Sequence, residues 1–112
     1  MTSFMQRSTR HFVVIKAARE LKKNIEGAGL DNLTALADAG RSIVSTYLDG
    51  CSPQEKARFR RDFNVLQQFG VTPEMVLSEV ARQMPEVGPI MESRKGYKES
   101  EIEKVTAFLN ES

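Results

Sequence analysis

A chain of 112 residues and 12.6 kDa is long enough for one domain with one core and too short for two. With 40% hydrophobic and 28% charged residues it has the mixture of a globular protein, not of a disordered one. A net charge of +1 excludes a molecule that attracts polyanions through its overall charge.

The charge is unevenly spread. Arg7, Arg10, Lys16, Arg19, Lys22 and Lys23 meet only Glu20 through residue 23, whereas Glu99, Glu101, Glu103 and Glu111 meet only Lys104 near the end. A basic front and an acidic tail can meet within one molecule, across a dimer, or on separate partners. Cys51 is the only cysteine, which excludes an internal disulfide and a thiolate metal cluster, so no oxidising compartment is required. The apolar run 12–15 is closed by Lys16 and is too short for a signal-peptide core or a membrane span. A cytoplasmic location, with no membrane contact, is the expectation.

The first predicted helix runs from Ser8 or Thr9 to Ile25, with Val14, Ala18, Leu21 and Ile25 at helical spacing. The sequence Phe12-Val13-Val14-Ile15 has strand propensity, but no comparable strand exists to pair with it, so helix is preferred. Gly27-Ala28-Gly29 ends the helix. It follows a helix and lacks a lysine, so it is a terminator and not a phosphate loop.

A second helix is predicted over 31–49. Leu33, Leu36, Ala37, Gly40, Ile43, Val44, Tyr47 and Leu48 form a broad apolar stripe, and Ala35, Ala39, Ser42 and Thr46 form a second sector of small side chains. Charge is confined to Asp38, Arg41 and Asp49, so this helix is expected to have protein on two sides.

Ser52-Pro53-Gln54-Glu55 predicts the start of a third helix. Ser52 caps free N–H groups, Pro53 suits the first helical position and Glu55 completes a capping box. Phe59, Phe63, Leu66 and Phe69 share a face, Arg58 is placed to pair with Asp62, and Gly70 ends the helix. Thr72-Pro73-Glu74 repeats the signal for a fourth helix, which buries Val76, Leu77, Val80, Ala81 and Met84 and stops before Pro85. Residues 85–97 are predicted to be an irregular loop whose Ile90 and Met91 need cover. A last helix from Lys98 to Asn110 places Ile102, Val105 and Leu109 on one side, with Phe108 off that stripe. Glu99, Glu101 and Glu103 alternate around it as a solvated face. The fold class is therefore all-α, a compact bundle of about five helices forming a single domain over 1–112.

Catalytic chemistry is not indicated. His11 is the only histidine and no carboxylate near it in sequence orients it; Cys51 lies near a helix start without a companion base. No enzyme, cofactor or metal site is expected. Binding features are more evident. Phe12, Lys16, Arg19 and Lys23 fall within about 60° on a helical wheel, opposite the apolar stripe, and would present an aromatic ring beside three cations. Ile90, Met91 and Phe108 join them as candidate partner contacts. Ala35, Leu36, Ala39, Ser42, Ile43, Thr46 and Tyr47 are the candidate surface of a two-fold homodimer.

The segment FNVLQQFGVTPEMVLSEV, within 59–84, resembles a DNA-reading helix-turn-helix. Gly70 falls at the turn, with Val65, Phe69 and Val76 at inward positions. It departs from that pattern at Leu66, where a small residue is usual, and at Glu79, where an apolar one is. Glu74 and Glu79 leave Arg82 as the only cation on the would-be recognition helix. The cations Lys56, Arg58, Arg60 and Arg61 fan around their helix instead of lining up. A transcriptional regulator that binds nucleic acid is thus the alternative to a protein-binding module.

In size, helical content and lack of catalytic clusters the chain resembles the small bacterial antiactivators that bind quorum-sensing transcription regulators. The resemblance implies a transcription regulator as partner and repression as outcome, and carries over no individual residue. Type III chaperones, toxin antidotes and phage-encoded inhibitors fit the same outline.

Overall fold

Caps and prolines set most helix starts in this chain, and the apolar faces between them decide how the helices stack. The computed structural model describes residues 2–28 and 33–111, with side chains of the first helix described from Thr9 onward. Among the described residues there are seven helices and no strand, so the fold is all-α with two more helices than expected. They are α1 (Thr2–Gly27), α2 (Leu33–Asp38), α3 (Ile43–Asp49), α4 (Pro53–Gln68), α5 (Pro73–Gln83), α6 (Gly88–Ser93) and α7 (Tyr97–Asn110). The Arg7 side chain, Gly29 of the terminator and the expected helix start at Asp31 lie outside the described residues.

The local signals for α4 and α5 operate as expected. The Glu55 N–H donates to Ser52 Oγ at 3.1 Å, and the Ser52 N–H donates to the Glu55 carboxylate at 2.9 Å, closing the capping box. Thr72 Oγ1 accepts from the Met75 N–H at 3.3 Å, with Pro73 at the first helical position.

α1 starts earlier than Ser8 and buries Ala18, Leu21 and Ile25, with Val14 half-buried. Its principal neighbour is α5, which buries Val76, Leu77, Val80 and Ala81. α4 leans instead on α7. Phe108 stacks edge-on to Phe59 (5.5 Å between centroids), and Arg60 lies 4.1 Å above the Phe108 ring while its Nε donates to the Phe108 carbonyl at 3.2 Å.

The single helix expected over 31–49 is two helices. At Gly40 the backbone turns left-handed (φ 76°), where a side chain would be strained. The Gly40 N–H donates to the Ala37 carbonyl and the Arg41 N–H to the Leu36 carbonyl, the two bonds of a Schellman ending. Ser42 then caps α3, accepting the Ser45 N–H at 3.0 Å. Ala37, Ile43, Val44 and Leu48 still reach the core, because both short helices turn their apolar sides inward. The small-residue sector does not survive. Ala35 lies within α2 and Ala39 just past its end, both exposed, while Ser42 caps α3 and Thr46 lies within it. Within the single chain these short helices are covered on one side, and Gly40 of the expected stripe is exposed along with the charged strip of Asp38, Arg41 and Asp49.

The stretch 85–97 is not wholly irregular, since it contains α6. Gly88 lets α6 start against α5: a Cβ there would stand 2.6 Å from the Ala81 carbonyl oxygen. That approach folds Val87 and Met91 into the core, and Ile90 is half-buried. Met91 is covered by its own chain and is not a surface contact. Replacing Gly88 by Ala should lower unfolding free energy by about 1–3 kcal/mol, because backbone has to move. Gly27→Ala, whose methyl meets nothing within 4 Å, should not lower it by more than about 0.5 kcal/mol in the same urea titration. Equal effects at the two sites would contradict this packing.

Candidate functional site

Because α1 commits its deep face to α5 and α4 leans on α7, the two do not pack closely on each other. Between them lies a groove of about 750 Å³. Its floor is apolar: Val13, Ala17 and Leu21 from α1, and Phe59, Phe63 and Leu66 from α4. The Phe59 and Phe63 rings sit 4.8 Å apart and are mutually tilted. Thr46 and Tyr47 of α3, followed by Gly50 and Cys51, also line it.

The rims are charged. Lys16, Glu20 and Lys23 stand on the α1 side, and Glu55, Arg58 and Asp62 on the α4 side, so the two rims together are neutral. The expected Arg58–Asp62 pair is not formed, and Asp62 instead lies 3.9 Å from Arg61. The Glu55 carboxyl is held below its ordinary value by the Ser52 backbone and hydroxyl, so the rim keeps this anion.

The α3 segment is itself held from α7. Ser42 Oγ donates to the Glu101 carboxylate, whose second oxygen accepts the Val44 N–H at 3.4 Å. Tyr97 Oη donates to the Arg41 carbonyl at 2.9 Å, and an Arg94 guanidinium N–H donates to the Asp38 carbonyl. Three side chains from 94–101 thus satisfy the backbone around the Gly40 break. Glu101 is only 2% exposed, which corrects its placement on a solvated face. Burial raises its carboxyl above the ordinary value, outweighing the hydrogen bonds from Ser42, Val44 and Ile43 that favour the ionised form. Burial, then the adjacent Glu101 charge, pushes the Tyr97 phenol up to about 12, so it remains a hydrogen-bond donor. Tyr47 is likewise pushed up to about 12, first by burial and then by Cys51.

The residues singled out from sequence divide clearly. Phe12 (73% exposed), Lys16, Arg19 and Lys23 are all exposed. Lys16 and Lys23 line the groove, while Phe12 and Arg19 stand outside its lining. Of the candidate dimer surface, Thr46 and Tyr47 line the groove, Ile43 is buried and Leu36 is half-buried. Ser42 is engaged by Glu101. Phe108, off the expected stripe, is half-buried on Phe59 and Arg60 and is not a free contact. Val65 (46% exposed) and Phe69 (56% exposed) are outward, against the inward positions of a helix-turn-helix, although Val76 is fully buried. The groove floor was legible only as core. Helical spacing marks Val13, Ala17 and Phe63 as apolar but not which neighbours they meet.

Cys51 is a free, half-buried thiol whose Sγ donates to the Tyr47 carbonyl at 3.3 Å. Among the described residues no three His, Cys, Asp or Glu side chains converge as metal ligands, and no helix is long and apolar enough to cross a membrane. No known protein family, curated protein or solved structure matches the chain.

The raised Glu101 carboxyl has a definite pH consequence. Above the unfolded carboxylate value of about 4.3 the unfolded chain releases a proton that the native chain still holds. The stability contributed by this group is therefore complete below that value and is lost as pH rises through the raised native value. Glu101→Gln removes the titration while its amide oxygen can still accept the Val44 N–H and its NH2 can donate to Ser42 Oγ, so the difference in stability from the parent should change in favour of the variant as pH rises through that window. Glu101→Ala, which leaves Ser42 and the Val44 N–H without their acceptor, should cost about 1–3 kcal/mol. Parallel pH slopes for parent and Gln variant in urea unfolding would contradict the burial.

Proposed function

We propose that this chain is a non-catalytic protein-binding module that sequesters its partner by holding an amphipathic helix in the α1–α4 groove. The observation that carries this reading is an open channel with an apolar floor and charged rims, between two helices whose deep faces are occupied elsewhere. An amphipathic helix laid in such a groove buries its apolar stripe on Val13, Ala17 and Leu66, over the buried Leu21, Phe59 and Phe63, and keeps its polar flanks at the rims. In line with the likeness to antiactivators, the partner is a transcription regulator in the cytoplasm. The helix withheld is one that the regulator needs for dimerisation or for reaching DNA.

Two-fold association over the small-residue sector is not part of this reading, because that sector is divided between α2 and α3. Nor does DNA binding by 59–84 gain support, with Val65 and Phe69 exposed and Glu74 and Glu79 on α5.

Ala17 is a half-buried floor residue, so Ala17→Arg puts a long cation into the groove at little cost to the fold. A tagged parent chain should capture a regulator from nuclease-treated native cells. Ala17→Arg should weaken binding of the purified regulator by at least about tenfold with an unchanged helical circular dichroism spectrum. Undiminished binding by that variant would contradict the groove as the docking site.

A further inference from the structure

On the proposal that the groove holds a partner helix, the two rims specify the charge pattern and direction of that helix. The Arg10 guanidinium lies beside Gly70, 3.4 Å from where a Cβ would stand, which brings the start of the described α1 side chains to the end of α4. The groove then continues along α1 to Gly27 and Ala28 and along α4 back to Glu55 and Cys51. The two walls therefore run antiparallel.

Their charges share one spacing. From the Arg10–Gly70 end, α1 presents Lys16, Glu20 and Lys23, stepping four residues and then three. α4 read in the same direction presents Asp62, Arg58 and Glu55, also stepping four and then three. The rise per residue is the same on both helices, so the walls carry one spacing with opposite signs in order, base, acid, base along α1 and acid, base, acid along α4. The two series are opposite in sign, yet among the described residues no ion pair closes across the groove.

We infer that the occupant is an amphipathic helix with acid, base, acid along its α1 flank and base, acid, base along its α4 flank. Each flank matches its wall at about 6 and then 4.5 Å spacing along the axis. The arrangement also fixes direction. Turned end for end, such a helix exchanges its flanks and sets each against a wall whose charges run in the same order of sign as its own. The floor supplies adhesion without direction; the rims supply direction and partner choice.

Two helical peptides of 18 residues test this. Both carry the same leucine stripe and, through their solvent faces, equal net charge. One has opposite charges on its two flanks at each level, in the pattern above; the other has base, acid, base on both flanks. By isothermal titration at low salt, the parent chain should bind the first at least about tenfold more tightly, with the preference shrinking in 1 M salt, where the Debye length is about 3 Å. The exposed triple substitution Lys16→Glu, Glu20→Lys and Lys23→Glu makes both walls alike and should reverse the preference. Equal affinity of the parent for both peptides, or a preference unchanged in the triple variant, overturns the charge assignment and leaves the groove as an apolar site. Binding of neither peptide by a folded parent chain overturns the groove reading as well.

Discussion

The arrangement rests on a division of partners between two helices. α1 packs its Ala18, Leu21 and Ile25 side toward α5, and α4 is pinned to α7 through Phe59, Phe108 and Arg60. Neither helix is free to close fully on the other, and above the buried Leu21, Phe59 and Phe63 the apolar lining is only partly covered. Val13 and Leu66 remain half-buried, and Val65 is 46% exposed. A channel of this kind leaves apolar surface in water, at a cost of about 25 cal/mol per Å² that a docked helix would recover. The functional reading therefore follows from where the core stops, not from any reactive group.

The far wall of the channel depends on a different interaction. α3 has only seven residues, too few to be stable alone, and its N-terminus is capped twice, by Ser42 and by Glu101 reaching across from α7. Arg94 and Tyr97 hold the carbonyls just before it. These contacts set the direction in which α3 leaves the Gly40 break, and hence where Thr46, Tyr47 and Cys51 meet the groove. A buried carboxylate is an expensive way to cap a short helix. Here it joins segments 59 residues apart in sequence, which a local serine cap does not do.

What was legible in the sequence was what local chemistry decides. Ser52 with Glu55, and Thr72 with Pro73, mark helix starts because the capping atoms lie within three residues of the groups they satisfy. The buried sets of α1 and α5 follow from helical spacing for the same reason. The break at Gly40 was masked because the 3.6-residue apolar pattern continues through it. Both short helices face inward, so periodicity registers one helix while Gly40-Arg41-Ser42 holds an ending and a new cap. Glu101 was illegible for a plainer reason. It stands between Glu99 and Glu103, and nothing near it in sequence points to Ser42. Val65, Phe69 and Phe108 were misplaced because turn and stripe positions say which side of a helix is apolar, not which helix will cover it. The groove belongs to this last class, being a property of helix pairing.

The claim most central to this account is the gap between α1 and α4, and disulfide trapping measures it most directly. With Cys51 changed to Ser, cysteines at Glu20 and Arg58 stand midway along the two opposite rims. A disulfide requires Cα atoms within about 7 Å. An open channel predicts that this pair stays reduced in the native protein under mild oxidation and cross-links only when denaturant is added. Rapid, complete cross-linking of the native protein would show α1 already closed on α4 and would contradict the account.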